Sequence, residues 1–475
     1  MPLVLGVALG PHATQVEVRD ADSGELVSTS TVRHAEMGPQ EEDPSAWWRS
    51  LTMAISRAGE RQIAAISVSG SHPGLVLLDG AGVALRPTQP WQAAQSEVAR
   101  TRQVLGIERW ARRAGTVPDA YTPVTRLAWL RRTDPGTYAQ LGTVLLPHDW
   151  LTYRLTGRAV TDRGGASSTG IWSPYAEAWI PDVLELLADH GDIDAWVDHL
   201  PAVLDPDERA DWLDAPVYEM LGLRGRPLVA PGTGAPMAVA LALGLGRGQI
   251  GVDLGERTTV LACIDEPIID LNGVVHSRAD ATGRHLAVAD AAGGASLVES
   301  MADLLDLHVT DFGIAALRAE PSADVVVVPG IPDRPGSVIT GLGGSVGRDE
   351  LALATFEGVA SAALAAVDAV TDAGARWYDH EPLHLCGPAE SLDVQAQVLA
   401  TLSGRRVLAT AGGLVAAGAC VQAAAVLHGT RPEEVASAWD LGAGEELDPA
   451  DDPERDHRRA VQAEEAERQE RAWDA

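Results

Sequence analysis

The 475-residue chain contains no lysine, and all 36 of its basic residues are arginine. This absence excludes a Walker-type phosphate loop, in which a lysine binds the phosphates of the nucleotide. Asparagine is also nearly absent, with Asn272 as its single example. Because alanine, glycine and aspartate are abundant at the same time, the composition indicates a genome-level bias.

Cysteine is scarce as well. Cys263, Cys386 and Cys420 lie far apart and lack the spacing of metal ligands. They are interpreted as core thiols of a reducing compartment, which predicts a cytoplasmic protein. The N-terminus has no charged segment before its apolar stretch, so no signal peptide is predicted. No apolar run is judged long and uninterrupted enough to span a membrane.

Positive charge is in the minority. With 67 acidic and 36 basic residues, the formal net charge is −31. Such a charge argues against nucleic acid or an anionic membrane surface as a partner. Hydrophobic residues make up 46 % of the chain, which is normal for a globular protein, and the length suits two or three domains.

The stretch 227–260 organises the predicted fold. It contains a buried strand, an alanine-rich helix at about 235–243 and a second strand that ends in Asp253-Leu254-Gly255. The segment Val7-Ala8-Leu9-Gly10 has the same kind of ending, and both strands turn back into another strand. Two such hairpins predict a duplicated α/β fold with a cleft between its halves. Their glycine turns expose backbone N–H groups that can hold a phosphate.

The remaining pattern predicts alternating strands and helices. A three-strand meander at 3–32 precedes a helix at 45–58. The segment 161–169 is predicted as a loop of small residues, and 207–220 as a helix. From Arg431 onward the chain is acidic, and it is interpreted as a solvated, helical terminal element rather than a partner-binding arm.

Several motifs recur in an order that resembles the FGGY carbohydrate kinases, and most closely the xylulokinases. In the first half they are Glu41-Glu42-Asp43-Pro44 with Trp47-Trp48, Gly70 to Gly74 followed by LVLLD, Leu85-Arg86-Pro87 with Trp91, Leu146-Pro147-His148-Asp149-Trp150 with Arg154-Leu155-Thr156-Gly157, and Thr161-Asp162 to Thr169. In the second half they are the stretch 227–260, Gly341-Leu342, Phe356-Glu357-Gly358-Val359-Ala360 and Gly418-Ala419. The resemblance covers nearly the whole chain.

The resemblance implies two actin-like (RNase H-like, ASKHA) α/β domains with ATP and sugar bound in a central cleft. Residues 1–237 would form the N-terminal domain on the sugar side, and 238–430 the C-terminal domain on the nucleotide side. Residues 431–475 would form an acidic helical tail. Family members are often dimers, so the resemblance also implies a homodimer.

The chain departs from the family where the chemistry should be. The family's general base is an aspartate after a Gly-x-Gly turn, and Ala235 stands at that position. Alanine accepts no proton, so no catalytic residue is assigned there. Asp253 is a candidate carboxylate to replace the missing general base. The alternative interpretation is that Asp253 forms hydrogen bonds at the end of its strand. Ala8 and Gln15 stand where the first phosphate loop of the family has an aspartate and a lysine.

The binding positions are assigned by the same resemblance. Ser71, His72, Trp91 and Gln92 stand at the sugar-binding positions, and Trp91 could stack on a sugar or pack in the core. The nucleotide positions are Gly10, Gly255, Arg257 and Gly387.

Four further residues bear on these sites. Glu256 would repel a phosphate, which Arg257 could offset, and Pro388 removes a backbone donor from the adenosine loop. Asp149 and Asp162 are interpreted as helix and loop caps rather than catalytic residues.

These departures leave two interpretations of what the protein is. The first is an inactive homologue, a pseudokinase, that keeps a sugar- or metabolite-binding or regulatory role. The second is an active, diverged kinase that transfers the γ-phosphate of ATP to a pentulose such as xylulose. ATP and Mg²⁺ are cofactors only in the second case. A small-molecule sugar or metabolite is the expected partner in both.

Overall fold

The structure is a computed structural model that describes residues 1–34, 43–70, 74–88, 91–188, 191–255, 257–321, 323–330, 336–343 and 346–474. The chain forms two compact units. Unit 1 comprises Met1–Gly244, Ile264–Leu286 and Leu414–Leu441, and unit 2 comprises Leu245–Cys263, Ala287–Gly413 and Gly442–Ala475. The predicted domain boundaries after residues 237 and 430 rest on the family resemblance and stay predictions.

Short strands and helices alternate up to residue 244. The strands are β1 (Leu3–Leu9), β2 (Ala13–Asp20), β3 (Leu26–Arg33), β4 (Ile63–Gly70), β5 (Val76–Leu78), β6 (Thr143–Leu145), β7 (Val160–Asp162), β8 (Trp172–Ser173), β9 (Ala178–Trp179), β10 (Ala202–Leu204), β11 (Asp211–Trp212), β12 (Leu228–Val229) and β13 (Thr233–Gly234). The helices are α1 (Pro44–Ala58), α2 (Val98–Leu105), α3 (Ile107–Ala114), α4 (Pro123–Thr133), α5 (Pro135–Tyr138), α6 (Pro147–Thr156), α7 (Arg163–Ser168), α8 (Pro181–Ala188), α9 (Ile193–Val197), α10 (Ala215–Leu221) and α11 (Ala235–Ala242), with a 3₁₀ helix at Trp91–Glu97.

Longer helices follow in the rest of the chain. The strands are β14 (Ile250–Leu254), β15 (Thr258–Ile264), β16 (Val275–Ala279), β17 (His285–Ala291), β18 (Val326–Val328), β19 (Val338–Thr340), β20 (Leu383–Gly387), β21 (Val407–Ala411) and β22 (Glu445–Leu447). The helices are α12 (Ala295–Leu304), α13 (Val309–Ala316), α14 (Arg348–Asp372), α15 (Ala389–Ser403), α16 (Val415–His428), α17 (Pro432–Trp439) and α18 (Arg455–Asp474).

The first sheet has seven strands in the order β11-β12-β4-β1-β2-β3, and β13 also pairs with β4. β1 is antiparallel to β2 and parallel to β4, and β2 is antiparallel to β3. The predicted three-strand meander is thus confirmed. Side chains alternate between the two faces of a strand. Leu5 and Val7 share one core with Trp47 of α1, whereas Val4 belongs to a second core that contains Val421 of α16.

The second sheet repeats this arrangement. Its order is β16-β17-β15-β14-β20-β21-β22. β14 is antiparallel to β15 and parallel to β20, as β1 is to β2 and β4. The predicted duplication of a strand–glycine–strand hairpin beside a parallel strand is therefore confirmed.

Glycine allows α16 to lie directly on β1 within unit 1. A Cβ atom built on Gly6 would overlap the carbonyl oxygen of Ala416 and lie 2.7 Å from the Cys420 nitrogen. A Cβ atom on Gly418 would overlap Ala238 of α11 in the same way. Since real Cβ atoms essentially never come this close to backbone atoms, both positions require glycine.

Helix α18 corrects the prediction of a solvated terminal element. Arg458 is only 4 % exposed, and it forms ion pairs with Asp452 and with Glu357 of α14, which is 3 % exposed. Gln462, one turn further along, is buried as well. The sequence pattern missed this anchoring because the partner of Arg458 on α14 lies about a hundred residues away.

Two local predictions are wrong. The segment 161–169 is not a loop, because Asp162 caps α7 and the small residues that follow form its turns. The predicted helix at 207–220 is shorter than expected, because helical structure begins only with α10 at Ala215. Asp211–Trp212 instead pairs with β12, and Asp214 caps α10 by accepting a hydrogen bond from Ala215 N at 2.9 Å.

Helix α14 also departs from expectation, because its length and hydropathy would suffice to cross a membrane. However, 67 % of its most apolar 18-residue stretch is buried inside the protein. Its burial is typical of the core helix of a folded domain.

We predict that Gly6→Ala lowers the free energy of unfolding of the protein by about 3 kcal/mol, because the added methyl group meets backbone atoms that cannot move aside. Urea denaturation measures the loss. Gly80→Ala is the matched control, since a Cβ atom at this exposed turn meets nothing within 4 Å, and we expect a change within about 0.5 kcal/mol. Equal effects of the two substitutions would contradict the packing of α16 on β1.

Candidate functional site

Three strand ends meet at one edge of the first sheet. Leu9, the last residue of β1, pairs with Gly70 at the end of β4. Gly234 of β13 pairs with Gly70 from the other side. The first glycine hairpin, Gly70 and Ala235 are therefore neighbours in unit 1.

The first hairpin carries no charge at the two positions that the family resemblance singles out. Ala8 and Gln15 are paired directly across the β1–β2 ladder. Gly10 closes the turn, where its N–H donates to Ala13 O at 2.9 Å. A methyl group and a neutral amide thus face each other where the resemblance implies an aspartate and a lysine.

Ala235 is the first residue of α11 and follows the cap residue Gly234. It is 5 % exposed, and its side chain is a single methyl group. Pro236 holds the first turn in helical geometry and has no N–H to offer. This position therefore supplies shape and backbone, but no proton acceptor.

A buried carboxylate lies next to this turn. Asp162 accepts hydrogen bonds from Gly164 N at 3.1 Å, from Gly165 N at 2.7 Å and from the Thr233 hydroxyl at 2.7 Å. Burial raises the pKa of Asp162 to about 6, although these three bonds and the charge of Arg163 act in the opposite direction. The prediction that Asp162 is a cap is confirmed, and its bond to Thr233 fixes the turn before Ala235.

His148 and Asp149 extend this polar group on α6. Asp149 accepts a hydrogen bond from Leu146 N at 3.2 Å, which confirms its capping role. Burial, followed by the charge of Asp162, raises the pKa of Asp149 well above its usual value. Burial lowers the pKa of His148 to about 4, so its ring is neutral at pH 7.

The contact within this pair is close but poorly aligned. His148 Nε2 lies 3.2 Å from Asp149 Oδ1. Among the described residues, neither atom has a partner with hydrogen-bond geometry. The sequence contained the signal, since both aspartates stand in the family-like motifs, but it did not show that these motifs meet beside Thr233.

The predicted sugar-binding residues are only partly described. Ser71 and His72 lie outside the described residues. Trp91 and Gln92 begin the 3₁₀ helix Trp91–Glu97. Their sugar-binding roles stay predictions.

The second hairpin lies in unit 2 and contains Gly255 and Arg257. Gly255 O accepts a hydrogen bond from Ala295 N at 3.1 Å, which ties the hairpin to the start of α12. The Arg257 guanidinium forms an ion pair with Asp290 at 2.9 Å. Glu256 lies outside the described residues, so its predicted repulsion of a phosphate stays a prediction.

Gly387 ends β20, the parallel neighbour of β14. A Cβ atom at Gly387 would lie 2.9 Å from the Cβ atom of Leu254, so the two strands approach closely at this end. Pro388 follows as the cap residue of α15 and supplies no N–H. The structure thus brings Gly387 near the second hairpin within unit 2.

Asp253 pairs with Cys386 across the two parallel strands. The Cys386 thiol donates a hydrogen bond to Asp253 Oδ1 at 3.4 Å. Burial raises the pKa of Asp253 to about 6, and burial together with the Asp253 charge raises the pKa of the Cys386 thiol well above its usual value. Hydrogen bonding at the strand end, one of the two predicted roles of Asp253, is therefore confirmed.

Comparison with known proteins identifies the family. Residues 3–241 match the N-terminal domain of the FGGY family of carbohydrate kinases. A xylulose kinase of Streptomyces coelicolor is 36 % identical over 465 residues, which cover 94 % of this chain and 92 % of that protein. The chain belongs to the FGGY family of carbohydrate kinases.

Other relatives agree with this assignment. The xylulose kinase of Streptomyces rubiginosus is 35 % identical over 462 residues, covering 94 % and 92 % of the two chains. The crystal structure of xylulose kinase from Bifidobacterium adolescentis has a TM-score of 0.78 and 26 % identity, and covers 98 % of this chain and 99 % of that one. The two duplicated α/β units are thus the actin-like domains of the FGGY fold, as predicted.

We predict that Asp162 makes the stability of the protein pH-dependent. Its pKa rises from 3.8 to about 6 on folding, so between these values the folded chain retains a proton that the unfolded chain has lost. The free energy of unfolding therefore falls as the pH rises through this window, by about 3 kcal/mol from this group. Asp162→Asn should remove this fall, measured as the difference in urea denaturation between wild type and variant.

Thr233→Val is the matched control, because it keeps the carboxylate but removes a hydrogen bond that lowers its pKa. The fall in stability should then extend to higher pH. An unchanged pH dependence in Asp162→Asn would contradict the raised pKa of Asp162.

Proposed function

We propose that this FGGY homologue is a pseudokinase: it binds a sugar or a related metabolite but does not transfer phosphate at the rates of an active kinase. The observation that carries the proposal is the methyl group of Ala235 at the turn where the family resemblance implies the general base. A positioned base contributes roughly 10²–10⁴-fold to such a reaction. Phosphoryl transfer depends almost entirely on positioning and charge stabilisation, so the losses at Ala8 and Gln15 act in the same direction.

The described residues also fit Mg²⁺·ATP poorly. The β1–β2 hairpin provides neither a carboxylate nor a cation at Ala8 and Gln15. Within the described part of the chain, no group of three or more His, Cys, Asp or Glu side chains could hold a metal ion. Arg257 is engaged with Asp290, and Pro388 lacks an N–H. We therefore derive no catalytic step through a bound nucleotide.

Binding can persist without catalysis, because the turn before Ala235 is held in place by contacts that do not involve the missing base. The Thr233–Asp162 hydrogen bond and the pairing of Gly234 with Gly70 hold the turn before Ala235. We infer that xylulose is the first sugar to test, since relatives at 36 % and 35 % identity are xylulose kinases.

The alternative is an active, diverged kinase, and Asp162 is the observation that favours it. A carboxylate with a pKa of about 6 suits a general base at neutral pH, and it contacts Thr233, two residues before Ala235. However, Asp162 is fully buried, and its two oxygens already accept three hydrogen bonds. These contacts favour a structural role for Asp162, and the proposal of an inactive homologue rests on that interpretation.

We expect no sugar-dependent ATP consumption above background when the purified protein is incubated with Mg²⁺, ATP and a panel of ketoses that includes xylulose. Calorimetric titration with the same sugars should still detect saturable binding. Turnover at ordinary kinase rates, roughly 1–100 s⁻¹, would overturn the pseudokinase proposal. Failure of folded protein to bind any of the sugars would instead overturn the sugar-binding role.

We further predict that the double substitution Ala8→Asp with Ala235→Asp restores measurable ketose-dependent turnover, at least about 10²-fold above wild type, because it returns both lost carboxylates. Ala8→Asn with Ala235→Asn is the matched control, since it adds side chains of the same size without charge. If both double variants behave alike, Ala235 does not stand at the base position.

A further inference from the structure

A concave cavity in unit 2 shares no residue with the candidate functional site. Its volume is about 410 Å³, within the range of pockets that bind small molecules. It lies between the end of α14, the loop after α15 and the first turns of α18. Its lining residues are Leu364, Val367, Asp368, Thr371, Ala375, Trp377, Ser403, Arg405 and Arg459.

Arg405 and Trp377 lie together at one wall of this cavity. The Arg405 guanidinium lies 3.8 Å from the ring centroid of Trp377 and thus stacks on the indole. Its own hydrogen bonds are with Tyr378 O at 3.2 Å and the exposed Asp379 at 3.3 Å. The indole ring of Trp377 gives the guanidinium a flat surface that helps to hold it in place.

The second cation of the cavity comes from α18. Arg459 forms a part-exposed ion pair with Asp368 at 3.0 Å. The preceding residue, Arg458, is buried in its ion pairs with Glu357 and Asp452. This anchoring holds the first turn of α18 in place, and Arg459 lines the same cavity as Arg405.

We propose that this cavity binds a small organic anion whose carboxylate or phosphate group contacts Arg405 and Arg459, while its apolar part packs on Leu364 and Val367. Guanidinium groups bind both kinds of anion through charge-assisted hydrogen bonds. The chain as a whole carries a net charge of −31, so the two arginines supply the local positive charge that such a ligand needs. Asp368 is exposed, so an incoming anion can replace it as the partner of Arg459.

The first experiment is calorimetric titration of the whole protein with phenyl phosphate, benzoate and benzyl alcohol, which share a ring and differ in charge. We expect saturable binding of at least one anion, weaker binding at high salt, and none of the neutral alcohol. The two anions distinguish a phosphate from a carboxylate ligand. No saturable binding of either anion, or equal binding of all three probes, would overturn the proposal.

Variants then locate the site. Arg405→Gln and Arg459→Gln should each weaken anion binding about tenfold, as expected for the loss of one charge-assisted hydrogen bond. Arg406→Gln is the matched control: Arg406 is the sequence neighbour, does not line the cavity, and pairs with Glu446. If Arg405→Gln lowers the melting temperature of the protein, the anion affinity of Arg459→Gln, a change at a part-exposed residue, tests the proposal instead. Equal effects at Arg405 and Arg406 would overturn the proposal.

Amide hydrogen exchange separates this site from any phosphate site at the glycine hairpins. An anion that joins Arg459 to Arg405 should slow exchange in α18, and the glycine hairpins should stay unchanged. Protection confined to residues 8–15 or 253–258 would assign the anion to the hairpins and overturn the proposal. This outcome is independent of whether the protein binds a sugar or transfers phosphate.

Discussion

The close approach of α16 to β1 is the contact on which the rest of unit 1 depends. A helix can lie this near a strand only where side chains are absent, and Gly6 and Gly418 provide the space. The approach covers one face of the sheet while α1 covers the other, so β1 and β4 can pair in parallel with both faces buried. That pairing in turn brings the ends of β1, β4 and β13 to one edge. Ala235 begins α11, which packs on Gly418 of α16, so its position depends on the same backbone packing.

The same edge of the sheet carries a buried polar group and, beside it, the methyl group of Ala235. The buried group around Asp162, Asp149 and His148 remains, and burial raises the pKa values of both aspartates and lowers that of the histidine. Burying such groups costs free energy unless they form hydrogen bonds. The hydrogen bonds of the two aspartates hold the starts of α6 and α7 and the turn before Ala235. The buried group and the methyl group of Ala235 are thus separate features of the same edge, and only the second bears on proton transfer.

Local signals in the sequence predicted most of the fold. The two hairpins were recognisable because each places a glycine between apolar strands, and α1 begins at its Asp43 cap as predicted. The short helix α7 was missed because adjacent glycines indicate a loop when the capping partner is not considered. The burial of Arg458 was missed because an acidic, arginine-rich helix looks solvated until its partner Glu357 is known. In the site, sequence motifs assigned the individual positions. Only the strand register showed that Ala8 opposes Gln15, and only a side-chain hydrogen bond showed that Asp162 contacts Thr233.

The packing of α16 also has a consequence for biosynthesis. Unit 1 takes its first 244 residues from the start of the chain, but its strands β1 and β4 are covered by a segment that begins at Leu414. The end of α16 follows the end of β4 by 428 − 70 = 358 residues, so at a synthesis rate of roughly 5–20 residues per second the N-terminal strands wait about 20–70 s for the helix that covers them. During that interval the Gly6 face of the sheet is exposed to other chains and to chaperones. The order in which a ribosome delivers the segments, rather than the strength of any one contact, then sets the period in which a nascent chain is vulnerable to aggregation.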